Sequence, residues 1–117
     1  MSIQRLHTNK RMSQIVTHNR TVYLAGQVGD DMGADVAQQT RETLAHIERL
    51  LGEAGTDTHH ILSVTIYLKN IDADFAAMNA VWDAWLPEGV APARATVGAP
   101  LCEPEILVEM SVIAALP

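Results

Sequence analysis

The chain has 117 residues, of which 48% are hydrophobic and 19% charged, and its net charge at pH 7 is −6. This length predicts one domain, residues 1–117, with a core of its own. Fourteen acidic against eight basic residues argue against a nucleic-acid or anionic-membrane partner, since both need a basic surface. The single cysteine, Cys102, excludes an internal disulfide, and no apolar stretch has the length of a signal peptide or membrane span. We therefore expect a cytoplasmic protein.

Three short strand-like segments open the sequence. Residues 3–7 alternate weakly between apolar and polar, and residues 13–17 and 21–26 are rich in β-branched and apolar side chains. The polar residues 18–20 between the last two segments predict a tight turn. Glycine and aspartate in residues 27–33 then predict a loop.

Residues 35–51 change to a helical period. Apolar or β-branched residues recur at steps of three and four, and charged or amide side chains occupy the opposite face. This pattern predicts an amphipathic helix that ends near Gly52 or Gly55. The buried face is predicted to contain Val36, Thr40, Leu44, Ile47 and Leu51. Residues 56–60 form a polar connection.

The second half predicts three more strands and one helix. Residues 61–68 are nearly all apolar or β-branched, as in a central strand that is covered on both faces. A helix is predicted from residue 72 or 74 to residue 86, and strands at 94–99 and 106–114 follow it. The buried stripe of this helix is predicted to be Phe75, Met78, Trp82 and Trp85.

The predicted order of elements is β-β-β-α-β-α-β-β. This order favours an α+β fold with a single mixed sheet and both helices on one face. Two helices cannot cover both faces of six strands. Residues 61–68 and 106–114 nevertheless carry apolar side chains on both faces of their strands. Because an exposed apolar sheet face marks a protein interface, we expect an oligomer in which sheets pack on each other.

Two charged residues stand in apolar surroundings. Glu109 lies in the middle of the most apolar strand, and Arg94 begins a short strand of small and apolar residues. A buried charge needs a partner, a shifted pKa or a functional pocket. An Arg94–Glu109 ion pair and a carboxylate-binding site are both consistent with this pattern.

Several segments resemble the RidA/YjgF family of enamine/imine deaminases. Residues 92–97 (PARATV), followed fifteen residues after Arg94 by Glu109, resemble the C-terminal signature of that family. Residues 24–27 (LAGQ), 39–44 (QTRETL) and 74–79 (DFAAMN) resemble further family segments in the right order. The WDAW of residues 82–85 is similar to the YoaB-like branch.

The resemblance implies a chorismate-mutase-like βββαβαββ fold that assembles as a homotrimeric barrel. It also implies three active sites in clefts between subunits, and a last strand inside the sheet rather than beside the strand of Arg94. The implied reaction converts 2-imino or 2-enamino acids to 2-keto acids, with no cofactor and no metal. The implied partners are these small molecules and further copies of the chain.

By the same resemblance, Arg94 binds the substrate carboxylate and Glu109 positions or activates the attacking water. Gly26 offers backbone groups at close approach to the substrate, and Asn79 lies beside the buried stripe of the second helix. Thr96 shares a strand face with Arg94. For Asn79 and Thr96, hydrogen bonds to nearby backbone or to a neighbouring strand are the structural alternative.

Three positions depart from the usual family pattern. Met12 stands where an aromatic residue is usual, Ala25 where serine precedes the glycine, and Thr96 where cysteine is common. Met12 is nevertheless predicted to line the substrate site. These departures keep open the alternative of a trimer that binds a keto acid without efficient catalysis. A structural trimer sealed by an Arg94–Glu109 pair is a further alternative.

Overall fold

One mixed six-stranded sheet forms the centre of the structure, a computed structural model that describes residues 2–117. Its elements in chain order are β1 (Gln4–Thr8), β2 (Ser13–His18), β3 (Thr21–Leu24), α1 (Val36–Ala54), β4 (Ile61–Leu68), α2 (Ile71–Trp85), β5 (Ala93–Gly98) and β6 (Val108–Ala115). A single 3₁₀ turn, Thr58–His60, lies in the predicted polar connection before β4. The predicted order of strands and helices is confirmed.

The last strand lies inside the sheet. The strand order is β1-β2-β3-β6-β4-β5, so β6 pairs with β3 on one side and with β4 on the other, antiparallel to both. β5 runs parallel to β4 at the edge. Each helix therefore joins two parallel strands, as the crossover rule predicts. The position of β6 agrees with the family resemblance and excludes a hairpin between β5 and β6.

A two-residue turn joins β2 to β3. Asn19 and Arg20 have φ values of 51° and 60°, and His18 pairs with Thr21 across the turn. Two central residues with positive φ match the right-handed twist of a hairpin. The predicted tight turn is confirmed.

Helix α1 buries the predicted face and has defined ends. The Asp35 side chain accepts a hydrogen bond of 2.9 Å from the backbone N–H of Gln38, and Gly55 ends the helix at φ 90°. Every predicted face residue is buried, and Gln39, Thr43 and Leu50 are buried beside them. The helix ends at Ala54, directly before Gly55, which is one of its two predicted stop positions.

Helix α2 buries a narrower stripe than predicted. Met78 and Trp82 are buried and Trp85 is partly buried, but Phe75 is 43% exposed, so its assignment to the core was wrong. At 100° per residue, Phe75 lies on the edge of the stripe that faces away from α1. No second helix within residues 2–117 covers that side.

The two faces of the sheet differ in cover. The helices pack on the face that carries Val22, Val64, Ile66, Met110 and Val112, which are all nearly fully buried. On the other face Tyr23 and Val97 are 45% and 39% exposed, and nothing in residues 2–117 packs over them. Both helices therefore lie on one face, as predicted. None of the helices in this range is long and apolar enough to cross a membrane.

Candidate functional site

Glu109 lies on the open face of the sheet. It pairs with Tyr67 of β4, which in turn pairs with Val97 of β5, so these three side chains share the face opposite the helices. Glu109 and Ser111 are partly buried on that face. The strand thus places a carboxylate in the interior of the sheet, as the sequence predicts.

Gly26 lies directly against the Glu109 carboxylate. A Cβ at position 26 would overlap Oε2 of Glu109 and lie 3.0 Å from its Cδ. Only glycine leaves this carboxylate where it is. The structure thus brings together two of the predicted site residues.

A cavity of about 350 Å³ adjoins this pair. It combines residues of β4 and β6 with Gly26 and the loop that follows β5. The lining residues are Gly26, Tyr67, Ala99, Pro100, Leu101, Cys102, Glu109 and Ser111. Cys102 is a free, exposed thiol at this cavity.

Arg94 lies on the opposite, helix-covered side of the sheet. It pairs with Val64, and Thr96 pairs with Ile66, so both share the face of the core residues of β4. β5 is an exposed edge strand, and the Arg94 guanidinium rests over the ring of Trp82, with Cζ 5.4 Å from the ring centroid. The sequence-based reading of Trp82 as a core residue missed this contact.

Three buried polar atoms lie in β5, the strand of Arg94, and in α2, the helix whose Trp82 contacts Arg94. The Asn79 Oδ1, the Trp85 Nε1 and the Thr96 Oγ1 have no hydrogen-bond partner among residues 2–117. For Asn79 and Thr96, a bond to nearby backbone or to the neighbouring strand, the structural alternative for each, is therefore not made by these atoms. A buried polar atom left unpaired costs about 1–3 kcal/mol, so each calls for an explanation.

The structure does not bring Arg94 and Glu109 together within one chain. They point to opposite faces, and β4 separates their strands, which places β5 about 10 Å from β6. All four ion pairs within residues 2–117 use histidine as the cation. The intramolecular Arg94–Glu109 pair is thus wrong for the single chain, because the central position of β6 keeps β5 away from it.

Met12 lies apart from both clusters. It stands in the connection between β1 and β2, where it is 42% exposed. Because Ile15 pairs with Leu24, the start of β2 and Gly26 lie at the same end of the sheet. Met12 is therefore near the Gly26 end, although it does not line the Glu109 cavity.

Sequence reasoning missed Tyr67 as a neighbour of Glu109. Strand alternation places Ser111, two residues further along β6, on the Glu109 face, and the structure confirms this. Tyr67 is adjacent through the β4–β6 register, which the sequence does not show.

Two carboxylates away from these clusters have pKa values below their ordinary range. Backbone N–H of Asp31, the Gln38 amide and backbone N–H of Asp30 all donate to Glu42 and lower its pKa. The pKa of Asp57 is lowered mainly by its hydrogen bond with His60, at 2.7 Å. Within residues 2–117 no group of three histidine, cysteine or acidic side chains could hold a metal ion, and this includes the neighbourhood of His60.

Comparison with known proteins identifies the family. The family described as Endoribonuclease L-PSP matches residues 2–116. The chain is also 43% identical over 116 residues to the RutC family protein YoaB of Escherichia coli K12, a match that covers 99% of this chain and 100% of YoaB. This chain belongs to the Endoribonuclease L-PSP family. The family and the YoaB-like branch predicted from the sequence are confirmed.

Solved structures of similar proteins share the fold throughout. A YjgF-family protein from Neisseria meningitidis has a TM-score of 0.96 at 42% identity, covering 100% of this chain and 97% of that one. A protein from Pseudomonas aeruginosa has a TM-score of 0.95 at 45% identity, covering 99% and 100%. The single mixed sheet with two helices on one face is therefore the fold of this L-PSP family member and of its relatives.

Proposed function

We propose that this protein hydrolyses 2-imino and 2-enamino acids to 2-keto acids and ammonia without a cofactor. Family membership supports a role shared with the L-PSP and RutC proteins. The observation that carries the specific proposal is that one cationic and one anionic side chain in the candidate site both lack an ion-pair partner. Arg94 has no carboxylate partner and Glu109 has no cationic partner within residues 2–117.

Arg94 would bind the substrate carboxylate. Its guanidinium offers N–H donors in a planar fork that matches both oxygens of a carboxylate. The contact with Trp82 is made to the face of an aromatic ring, so it uses none of these donors as a conventional hydrogen bond would. Arg94 is thus held in place with its donors available.

Glu109 would position and activate the attacking water. Starting from the protonated imine, the Glu109 carboxylate accepts a proton from water while the water oxygen bonds to the electrophilic C=N carbon and the C=N π electrons pass to nitrogen, giving a carbinolamine. Glu109 then returns that proton to the nitrogen. As the C–N bond breaks and ammonia leaves, the hydroxyl proton passes to the Glu109 carboxylate, which yields the 2-keto acid. An enamine first gains a proton at carbon to become the protonated imine. General acid–base catalysis of this kind contributes roughly 10²–10⁴-fold.

We further propose that each site is shared between two chains of a homotrimer. In a 2-imino acid the carboxylate carbon is bonded directly to the C=N carbon, so the groups that hold them must lie within a few ångströms of each other. One chain places Arg94 and Glu109 on opposite faces of the sheet. If the exposed β5 edge of one protomer lay against the Glu109 cavity of the next, Arg94 and Glu109 could contact the same substrate. Such contact would also cover the unpaired edge of β5, which an isolated chain leaves exposed.

The test is hydrolysis of imines generated in place by an amino-acid oxidase, with release of keto acid measured against the spontaneous rate. We expect Arg94→Ala to abolish hydrolysis while leaving the fold intact, and Glu109→Gln to lower the rate by roughly 10²–10⁴-fold, the contribution of general acid–base catalysis. Arg94→Lys should rescue little, because lysine keeps the charge but lacks the planar fork. Arg41→Ala and Glu48→Gln remove the same charges from exposed positions of α1 and are the matched controls. Full activity in Arg94→Lys would contradict the clamp.

Two alternatives give different results in the same experiment. A keto-acid-binding protein, which the departures at Met12, Ala25 and Thr96 favour, would bind pyruvate in an Arg94-dependent manner without turnover. An Arg94–Glu109 pair that only seals the trimer would make each single variant about 3–5 kcal/mol less stable. The Arg94→Met/Glu109→Gln double variant would then recover that stability. Near-native stability with lost activity supports catalysis.

We do not propose RNA cleavage, although the family description contains the word endoribonuclease. RNA binding depends on basic surface that neutralises phosphates, and this chain carries a net charge of −6.

A further inference from the structure

Trp82 is the side chain that supports the Arg94 guanidinium. It lies on α2 and is 5% exposed, and its ring centroid lies 5.4 Å from Arg94 Cζ. Trp82 also packs on Trp85, with ring centroids 5.6 Å apart at an angle of 46°. The buried Trp82 ring is the one aromatic ring among residues 2–117 that lies against the Arg94 guanidinium.

A core role alone does not account for this arrangement. Arg94 stands on an exposed edge strand, where a long flexible side chain would otherwise sample many rotamers. The aromatic face attracts the guanidinium through the ring quadrupole rather than through a hydrogen bond. A protein carboxylate in the same place would occupy the N–H donors and compete with a substrate. An aromatic face restrains the cation and leaves its donors free.

We propose that Trp82 is a positioning residue that orients Arg94 to receive a carboxylate ligand. This inference rests on the proposed function for the identity of the substrate, but its first readout does not depend on turnover. The role predicts that loss of the ring weakens carboxylate binding only through Arg94.

The experiment compares Trp82→Leu, which removes the aromatic face, with Trp82→Phe, which keeps a smaller one. Pyruvate is the probe, titrated against the intact protein. A cation–π contact of this kind corresponds to a change in Kd of about 3- to 30-fold, so Trp82→Leu should raise the Kd by that factor. Trp82→Phe should give a smaller rise. Trp85→Phe, which changes the neighbouring ring but not the one under Arg94, is the matched control and should leave the Kd unchanged.

Two further measurements separate positioning from packing. In an Arg94→Ala background, Trp82→Leu should have no additional effect on the Kd for pyruvate, because the group through which it acts is gone. Pyruvamide, which lacks the carboxylate, should bind equally to wild type and Trp82→Leu. An upfield ring-current shift of the Arg94 Nε–H resonance should be present in wild type and Trp85→Phe and absent in Trp82→Leu.

The outcomes are distinct. An unchanged Kd in a folded Trp82→Leu or Trp82→Phe variant, an equal effect in the Arg94→Ala background, or no pyruvate binding by wild type would overturn the inference. Pyruvate binding with the expected Trp82 dependence but no imine hydrolysis would refute the proposed deaminase and leave the positioning role intact. Trp82→Phe keeps the test available should Trp82→Leu fail to fold.

Discussion

At the scale of single residues, the contact between Gly26 and Glu109 is the tightest constraint in the candidate site. The atom that a Cβ at position 26 would meet is the end of a flexible side chain rather than backbone. The cheapest response to a larger residue is therefore to move the Glu109 carboxylate. The same substitution that costs little stability should disturb the chemistry.

We predict that Gly26→Ala lowers kcat/KM by roughly 10- to 100-fold, since a displacement of about 1 Å can cost about 10²-fold. Its free energy of unfolding in urea should stay within about 1 kcal/mol of wild type. Gly52→Ala is the matched control: it lies inside α1 with nothing within 4 Å of its Cβ. That change should keep full activity and add about 0.5–1 kcal/mol of stability. Wild-type activity in Gly26→Ala would show that Glu109 need not stand where it does.

Residue type and alternation in the sequence were enough to single out Arg94 and Glu109 as charges in apolar strands. They could not show the partners of either. Trp82 has the spacing of a core residue, and its contact with Arg94 depends on how α2 lies over β5. Phe75 has the same spacing but is exposed. Helical periodicity shows which side of α2 is apolar, but it does not show how much of that side other elements cover.

At the scale of elements, helix α1 does more than bury an apolar face. The side chain of Gln39 is fully buried, where its Nε2 donates to the carbonyls of Ala34 and Glu105 and its Oε1 accepts from the N–H of Leu107. It ties the chain before β6 to the helix. The helical spacing places Gln39 near the buried face, but its partners at 105 and 107 are too distant in sequence for any local pattern to reveal them.

Helix α1 also holds the loop after Gly26. Glu42 Oε1 accepts hydrogen bonds of 2.9 Å from the backbone N–H groups of Asp30 and Asp31. These bonds favour the ionised carboxylate and lower its pKa in the folded protein below the ordinary value of 4.5. A group with a lowered folded pKa stabilises the fold above its unfolded pKa, and this contribution is lost as the pH falls through the folded pKa.

We therefore predict that Glu42→Gln destabilises the protein most at neutral pH and that the difference from wild type shrinks below about pH 4.5. The measurement is urea unfolding from pH 7 to pH 3, together with hydrogen exchange of the Asp30 and Asp31 amides. Those amides should exchange faster in Glu42→Gln at pH 7. Glu48→Gln removes one charge from an exposed position of the same helix and should leave these amides protected. A difference in stability that stays constant from pH 7 to pH 3 would contradict this role.

At the scale of the whole molecule, the sheet has one face covered by helices and one face open. The order of strands and helices and the single mixed sheet could be predicted from hydrophobic periodicity. The central position of β6 was predicted from the family resemblance. Apolar residues on both faces of β4 and β6 indicated that the second face of the sheet meets another chain. The proposed sharing of the site between two chains depends on contacts between protomers, which strand and helix patterns within one chain do not reveal.

Subunit mixing tests whether the site is shared. Arg94→Ala and Glu109→Gln should each be inactive alone. When the two are unfolded together in equal amounts and refolded, an interface is intact only if the Arg94 side comes from the Glu109→Gln chain and the Glu109 side from the Arg94→Ala chain. Random assembly into a closed ring makes about one interface in four intact, so the mixture should recover about a quarter of wild-type activity.

The reciprocal mixture is the control. Wild type refolded with an equal amount of the Arg94→Ala/Glu109→Gln double variant should fall to about half of the activity of the same wild-type chains refolded alone, since random pairing breaks half of their sites. If Arg94 and Glu109 act within one chain, the first mixture gains no activity and the second loses none. Sedimentation of each refolded sample must show a single assembled species, which we expect to be a trimer, and a folded, active monomer would refute the shared site outright.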